Sequence, residues 1–177
     1  MVYKFRIVLD TFDDVFRDLE IKASDNLEDL HNTIVQAFGF DGTEMASFYL
    51  SDEDWTQGEE IVLFDMSEGS NEVRMMNETR LDSILSQKQT KLIYVYDFFS
   101  MWTFYVELAD ITQEDEEIDY PNLLFAQGQL PDSPPEKQFE ADPDPKQREE
   151  DTDLFDEFDD FDNLDNLDDI DYNQYWN

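Results

Sequence analysis

"YKFRIVLDTFDDVFRDLEIKASDNLEDLHNTIVQAFG", residues 3–39, changes its hydrophobic period halfway along. In its first half the period is two. Tyr3, Phe5, Ile7 and Leu9 alternate, as do Val15, Arg17, Leu19 and Ile21, around a turn at 11–14. Strands with one buried face show this alternation, so a β-hairpin is predicted. In the second half Leu27, Leu30, Ile34 and Phe38 follow at helical spacing. Asp25 stands three residues before Glu28, the spacing of a capping box, and Gly39 stands where a helix would stop. A helix over 26–38 is predicted, and the chain therefore opens ββα.

Beyond Gly42 the signals shorten. "SFYL" (47–50) and "EEIVLF" (59–64) read as strands, and "SEGSNEV" (67–73) reads as a loop. Thr79 is placed to cap a short helix through Leu81, Ile84 and Leu85. Residues 91–96 and 102–108 are aromatic and β-branched, separated by "DFFSM", and predict a second hairpin. On it Trp102, Phe104, Val106 and Leu108 share one parity and should face the core. From Gln113 the pattern becomes irregular: an acidic run, a Pro-bounded loop "YPNLLFAQGQLPDSPP", then a linker. The count is six strands and two helices, a single small α+β domain with a mostly antiparallel sheet. A grasp-like crossing of the sheet by the main helix is one topology this start allows. The domain is expected over 1–135.

The chain has 177 residues and a formal charge of −35. From Glu136 onward 17 acidic and 3 basic residues leave −14 over 42 positions, and the preceding 135 residues carry −21. Such a surface repels nucleic acid and anionic lipid, because affinity for phosphate comes from Lys and Arg displacing counterions. There is no cysteine, hence no disulfide and no thiolate metal site. The opening residues alternate charged with apolar and are expected to be neither signal peptide nor membrane span, and a cytoplasmic location is expected.

The tail, 136–177, ends in triplets. Phe155, Phe158, Phe161, Leu164, Leu167 and Ile170 are each followed by an Asp, and Tyr175 and Trp176 follow beyond them. A helix turns about 100° per residue, so a spacing of three falls about 60° short of a turn and the apolar line would spiral around it. Asp is also a poor helix former away from the first turn. The composition is that of a disordered segment. Its rings also make it a candidate interaction tail, docking aromatics in a groove while its carboxylates answer a basic rim. It lacks the glycine that a tight calcium loop requires.

No reaction is spelled out. The only histidine, His31, falls inside the helix pattern and is read as structural. The five glycines are not spaced to cradle phosphate. Glu44, Asp52, Glu53 and Asp54 could gather a metal in principle, but no second histidine supports them. No catalytic, cofactor or metal residue is therefore assigned.

Three stretches carry a resemblance: "LEDLHNTIVQAFGFDG" (27–42), "IYVYDFFSMW" (93–102) and "YPNLLFAQGQLP" (120–131). Together they resemble the Ri-plasmid open-reading-frame-three-like family, whose members often bear the label of a transposon passenger protein of TnpR type. The matching residues are His31, Gly39, Asp97, Trp102, Tyr120 and Pro121, and the likeness covers about 3 to 135. It implies a small α+β domain of unestablished activity. Where the resemblance leads one to expect histidines, this chain has residues 43–48 without one, and Phe104. Where it leads one to expect cysteines, the chain has Leu123 and Leu130. Any metal or catalytic site of the family is thus expected to be absent. A resolvase role also conflicts with a body of net charge −21.

The function expected is non-catalytic binding of a protein with a basic or apolar groove, without nucleic acid, membrane or cofactor. Two other readings remain: a metal-dependent enzyme using acidic residues, and an acidic DNA-mimic inhibitor. The mimic would need carboxylates held at phosphate-like spacing.

Overall fold

The expected hairpin is the centre of the sheet's right half. In the computed structural model, which describes residues 1–69 and 72–136, β1 (Val2–Leu9) and β2 (Phe16–Lys22) pair antiparallel, with Val2 opposite Lys22 and Val8 opposite Phe16. The alternation works as read: Tyr3, Phe5, Ile7, Leu9, Leu19 and Ile21 are buried. α1 (Leu27–Phe38) follows and buries Leu27, Leu30, Ile34 and Phe38. Its cap is displaced by one residue from the Asp25–Glu28 pair. Asn26 is the cap, its side chain accepting from the Asp29 N–H at 2.9 Å while Asp29 accepts from the Asn26 N–H at 3.0 Å. Asp25 is occupied elsewhere, its N–H on the Lys22 carbonyl and its own carbonyl receiving the Leu81 N–H. The Asp25–Glu28 spacing pointed one residue too early, because contact with a distant segment occupies Asp25. Gly39 ends the helix with φ of 83°, as expected of the residue that can adopt that turn freely.

The rest of the sheet comprises β3 (Ala46–Ser51), β4 (Gln57–Val62), β5 (Arg74–Met75), β6 (Lys91–Tyr96), β7 (Trp102–Thr112) and β8 (Asn122–Gln127). A 3-10 turn (Met76–Glu78) and α2 (Leu81–Ile84) lie between β5 and β6. The strand order is β5-β4-β3-β6-β7-β1-β2-β8, antiparallel throughout except for the β4–β5 pair. Trp102, Phe104, Val106 and Leu108 are buried along β7, while Glu107 between them is exposed. Among the described residues eight strands replace the six expected. β5 is two residues long, and β8 lies in a stretch read as loop. Its four consecutive apolar residues hide any alternation, and its pairing with β2 shifts register between Asp18 and Leu19. Thr79 does not cap α2: its hydroxyl donates to the Met75 carbonyl at 2.8 Å, and Arg80 precedes the helix without a side-chain cap. Among the described residues no helix is long and apolar enough to cross a membrane. The described residues belong to one unit, Met1–Glu136. The tail residues from 137 onward lie outside them, including Phe155, Phe158, Phe161, Leu164, Leu167, Ile170, Tyr175 and Trp176.

α1 lies over one face of the sheet. Phe38 meets the Phe104 ring at 4.7 Å, and Tyr94 meets Phe48 at 4.7 Å and Phe104 at 5.9 Å. The alternation also carries Arg17 onto this buried face, where it is 7% exposed. Among the described residues no carboxylate pairs with it. Its guanidinium donates to the carbonyls of Ala37 (2.9 Å), Phe16 (2.8 Å) and Gln127 (2.8 Å), and stacks over Phe38. Ala37 belongs to the last turn of α1, the negative end of the helix dipole, which favours a cation there. Burial lowers the guanidinium pKa, so this site is held by hydrogen bonds against a desolvation cost. One side chain thus ties β2, β8 and α1 together. Arg17→Met should keep the stem's packing and orphan the carbonyls, lowering stability by about 2 kcal/mol in urea unfolding. An unchanged midpoint would show that water replaces the guanidinium freely.

Candidate functional site

His31 sits on the sheet-facing side of α1 at 3% exposure, its Nδ1 2.7 Å from the Tyr94 hydroxyl. Burial lowers its pKa from 6.5 to about 4 and pushes the Tyr94 hydroxyl well above its ordinary value. Both are neutral at pH 7. A neutral imidazole sealed between a helix and a sheet has no approach for a substrate, and its chemistry there is to satisfy a buried phenol.

The other residues shared with the resembling family gather close by, with two exceptions. Gly39 turns the chain so that Phe40 packs on Tyr96 at 4.4 Å and Trp102 at 5.5 Å, and the Tyr96 ring lies 6.4 Å from His31. Asp97 follows Tyr96 at positive φ (59°), and its carboxylate accepts from the N–H groups of Phe99 (3.1 Å) and Ser100 (3.3 Å). Tyr120 and Pro121 stand apart, at the opposite end of the sheet. The Tyr120 hydroxyl accepts from the Asp115 N–H at 3.1 Å, and the cis Tyr120–Pro121 bond leads into β8. Phe104, where the resemblance led one to expect a histidine, is wholly buried, and Leu123 is half exposed. Glu44 stands at the far end of β3 from Asp52, Glu53 and Asp54, so those four do not meet. Among the described residues no group of three Asp, Glu or His could hold a metal ion.

What the fold does bring together is a set of loops. The antiparallel order places 10–15, 39–45, 63–69 and 97–101 at one end of the sheet, and backbone hydrogen bonds join them side by side. The Asp10 N–H donates to the Thr103 carbonyl (2.9 Å), the Asp97 N–H to Met45 (2.8 Å) and the Leu63 N–H to Ala46 (3.1 Å). The Tyr96 hydroxyl adds to this by donating to Asp41 at 3.0 Å and accepting from the Gly42 N–H at 3.1 Å.

Six of the eleven exposed large apolar side chains of the described residues are found on these loops: Phe12, Phe64, Met66, Phe98, Phe99 and Met101. Phe12 and Phe99 are fully exposed. Single exposed apolar residues need no explanation, but six at one end of a domain do. The same loops hold eight carboxylates and no Lys or Arg: Asp10, Asp13 and Asp14, then Asp41 and Glu44, then Asp65 and Glu68, then Asp97. Elsewhere the cations are mostly answered. Arg6, Lys22, Arg74, Arg80 and Lys91 each pair with a carboxylate, and Arg17 is buried.

Three of the loops use the same local device. Asp41 accepts from the N–H and hydroxyl of Thr43, Asp65 from those of Ser67, and Asp97 from the two N–H groups given above. These bonds lower the Asp41 and Asp65 pKa values, with Thr43 and Ser67 the leading donors. They also hold the backbone from which Phe64, Met66, Phe98 and Phe99 project. An Asp followed two or three residues later by Ser or Thr is a turn signal in the sequence. That signal was legible; the convergence of the loops was not.

A family model described as plasmid pRiA4b ORF-3-like protein matches residues 1–162, further than the likeness read from the three motifs. The crystal structure of a protein of unknown function, MM3350 from Methanosarcina mazei Go1, is similar in fold with a TM-score of 0.62. The two share 17% identity over 71% of this chain and 68% of that one, a likeness of fold alone. No curated protein matches the chain.

Proposed function

The chain belongs to the plasmid pRiA4b ORF-3-like family, a membership that carries a fold and no reaction, and from that premise we propose a cytoplasmic, non-catalytic protein that binds a cationic protein partner through its loop end. The observation that carries this reading is the set of six exposed apolar side chains held on three of the four joined loops among carboxylates, with no Lys or Arg on any of the four. Burying a ring against a partner removes apolar surface from water at about 25 cal/mol per Å². The surrounding carboxylates attract a basic rim from a distance and speed the encounter, an effect that salt weakens. Loops already fixed by their own hydrogen bonds lose little freedom on binding. The tail repeats the same chemistry, with Phe155, Phe158 and Phe161 among Asp residues, and suits the same kind of partner. Nucleic acid and anionic membranes are repelled by a net charge of −35.

The test is capture from host extract by the full chain, followed by titration of the purified partner. Phe12→Ser with Phe99→Ser should weaken binding roughly tenfold for each ring, because docked aromatics dominate interface energies. Asp13→Asn with Asp14→Asn should chiefly slow association and flatten its salt dependence. Triple replacement of Phe155, Phe158 and Phe161 by Ser separates the two regions. Loss confined to that variant would move the site to the tail, and indifference to the loop variants would remove the loop end from consideration.

A further inference from the structure

We propose that the outer edge of β8 is a second docking site, which takes an extended strand of a partner protein that is apolar in its middle and basic at both ends. Among the described residues β8 closes the sheet, with β2 as its only neighbour, so its outward N–H and C=O groups have no ladder there. Among the described residues no backbone group outside β2 pairs with it. Natural sheets protect such an edge with charged side chains, proline or a covering loop. This one instead shows Leu123, Leu124 and Phe125, each about half exposed, and no charged residue stands anywhere between Pro121 and Pro131. The edge has the chemistry of a strand that accepts another strand, in which backbone bonds supply affinity and alternate side chains supply choice.

Charge defines the occupant. Before β8 the exposed run at 115–119 carries Asp115, Glu116, Glu117 and Asp119. After it Gly128 lies against Asp14, close enough that a Cβ there would stand 2.6 Å from the Asp14 carbonyl oxygen, which brings Asp13 and Asp14 to that end. Carboxylates thus bracket an uncharged edge of six residues, a length of about 20 Å. A strand with Lys or Arg on either side of an apolar centre is complementary to both ends. A second copy of this chain is not: pairing β8 with β8 in antiparallel fashion would set Asp13 and Asp14 of one copy against 115–119 of the other. The inference shares Asp13 and Asp14 with the loop end, but the edge itself is assigned and tested at β8 and at 115–119.

The experiment uses the full chain and a fluorescent peptide, Lys-Arg-Thr-Val-Leu-Val-Thr-Lys-Arg, with binding read by anisotropy and the site read by amide exchange. Binding with new protection confined to 122–127 is expected. Leu124→Lys, at an exposed position, should weaken it by roughly tenfold or more by placing a cation on the edge. Glu116→Lys with Glu117→Lys should weaken it while removing part of its salt dependence. A peptide whose central Leu is replaced by Pro should not bind, because it cannot form the ladder. Equal binding of the Pro peptide would reduce the effect to bulk charge and overturn the proposal. So would protection, before any peptide is added, of the N–H groups of 122–127 that face away from β2, in a monomer through another part of the chain or in a sedimenting dimer through a second copy.

Discussion

Replacing Phe104 with alanine is expected to lower the unfolding free energy by about 3–5 kcal/mol, the largest single loss foreseen for this domain. Phe104 is wholly buried and is the ring on which helix and sheet meet: Phe38 from α1 at 4.7 Å, Phe40 at 6.1 Å and Tyr94 at 5.9 Å. Alanine would remove the transfer energy of the ring and leave a cavity among three other rings that are each held by further contacts. Domains of this kind have about 5–15 kcal/mol in total, so the variant should be near the limit of folding at 37 °C. Urea unfolding monitored by circular dichroism reads the change directly. A loss below about 1 kcal/mol would mean that the site collapses around the deletion and that the helix does not depend on this ring.

Acid should cost the fold about 3 kcal/mol through His31 alone. Its pKa is about 4 in the fold, against 6.5 for an exposed imidazole. Between those values the unfolded chain binds a proton that the folded chain refuses. Stability from this group is therefore complete above about pH 6.5 and is lost as pH falls toward 4. The carboxylates complicate a bare pH curve, because protonating them relieves repulsion in an acidic body while removing the hydrogen bonds of Asp41 and Asp65. Comparison with His31→Gln removes those shared contributions. At pH 7 the variant should be less stable by up to about 2 kcal/mol, the range of ordinary substitutions. Near pH 4 it should be the more stable of the two. Parallel stability curves from pH 7 to pH 4 would show that His31 protonates as readily in the fold as outside it.

The parts of this protein legible in its sequence are those in which burial has a period. The alternation of Tyr3, Phe5, Ile7 and Leu9, the helical spacing of Leu27, Leu30, Ile34 and Phe38, and the parity of Trp102 to Leu108 each report which side of an element meets the core. The same alternation placed Arg17 on the inner face, although nothing in the sequence indicated that three carbonyls would receive it. Gly39 was legible because a helix end needs a residue tolerant of positive φ, and that need is local.

Tertiary structure alone decided the rest. Asn26 prevailed over Asp25 as the cap because Leu81, far along the chain, takes the Asp25 carbonyl. β8 became a strand because β2 had a free side, and an edge strand with a register shift has no alternation to display. His31 became a neutral core group because the packing of α1 on the sheet buries it, beside Tyr94 on a strand more than sixty residues away. The six apolar side chains of the loop end are divided among three loops, and only the antiparallel order of β1, β7, β6, β3 and β4 brings those loops to one end. By itself the sequence determined which face of each element is buried, since burial leaves its period in neighbouring residues. Which elements stand side by side, and so which loops, caps and edges meet a partner, rests on hydrogen bonds between distant segments, and these leave no period to read.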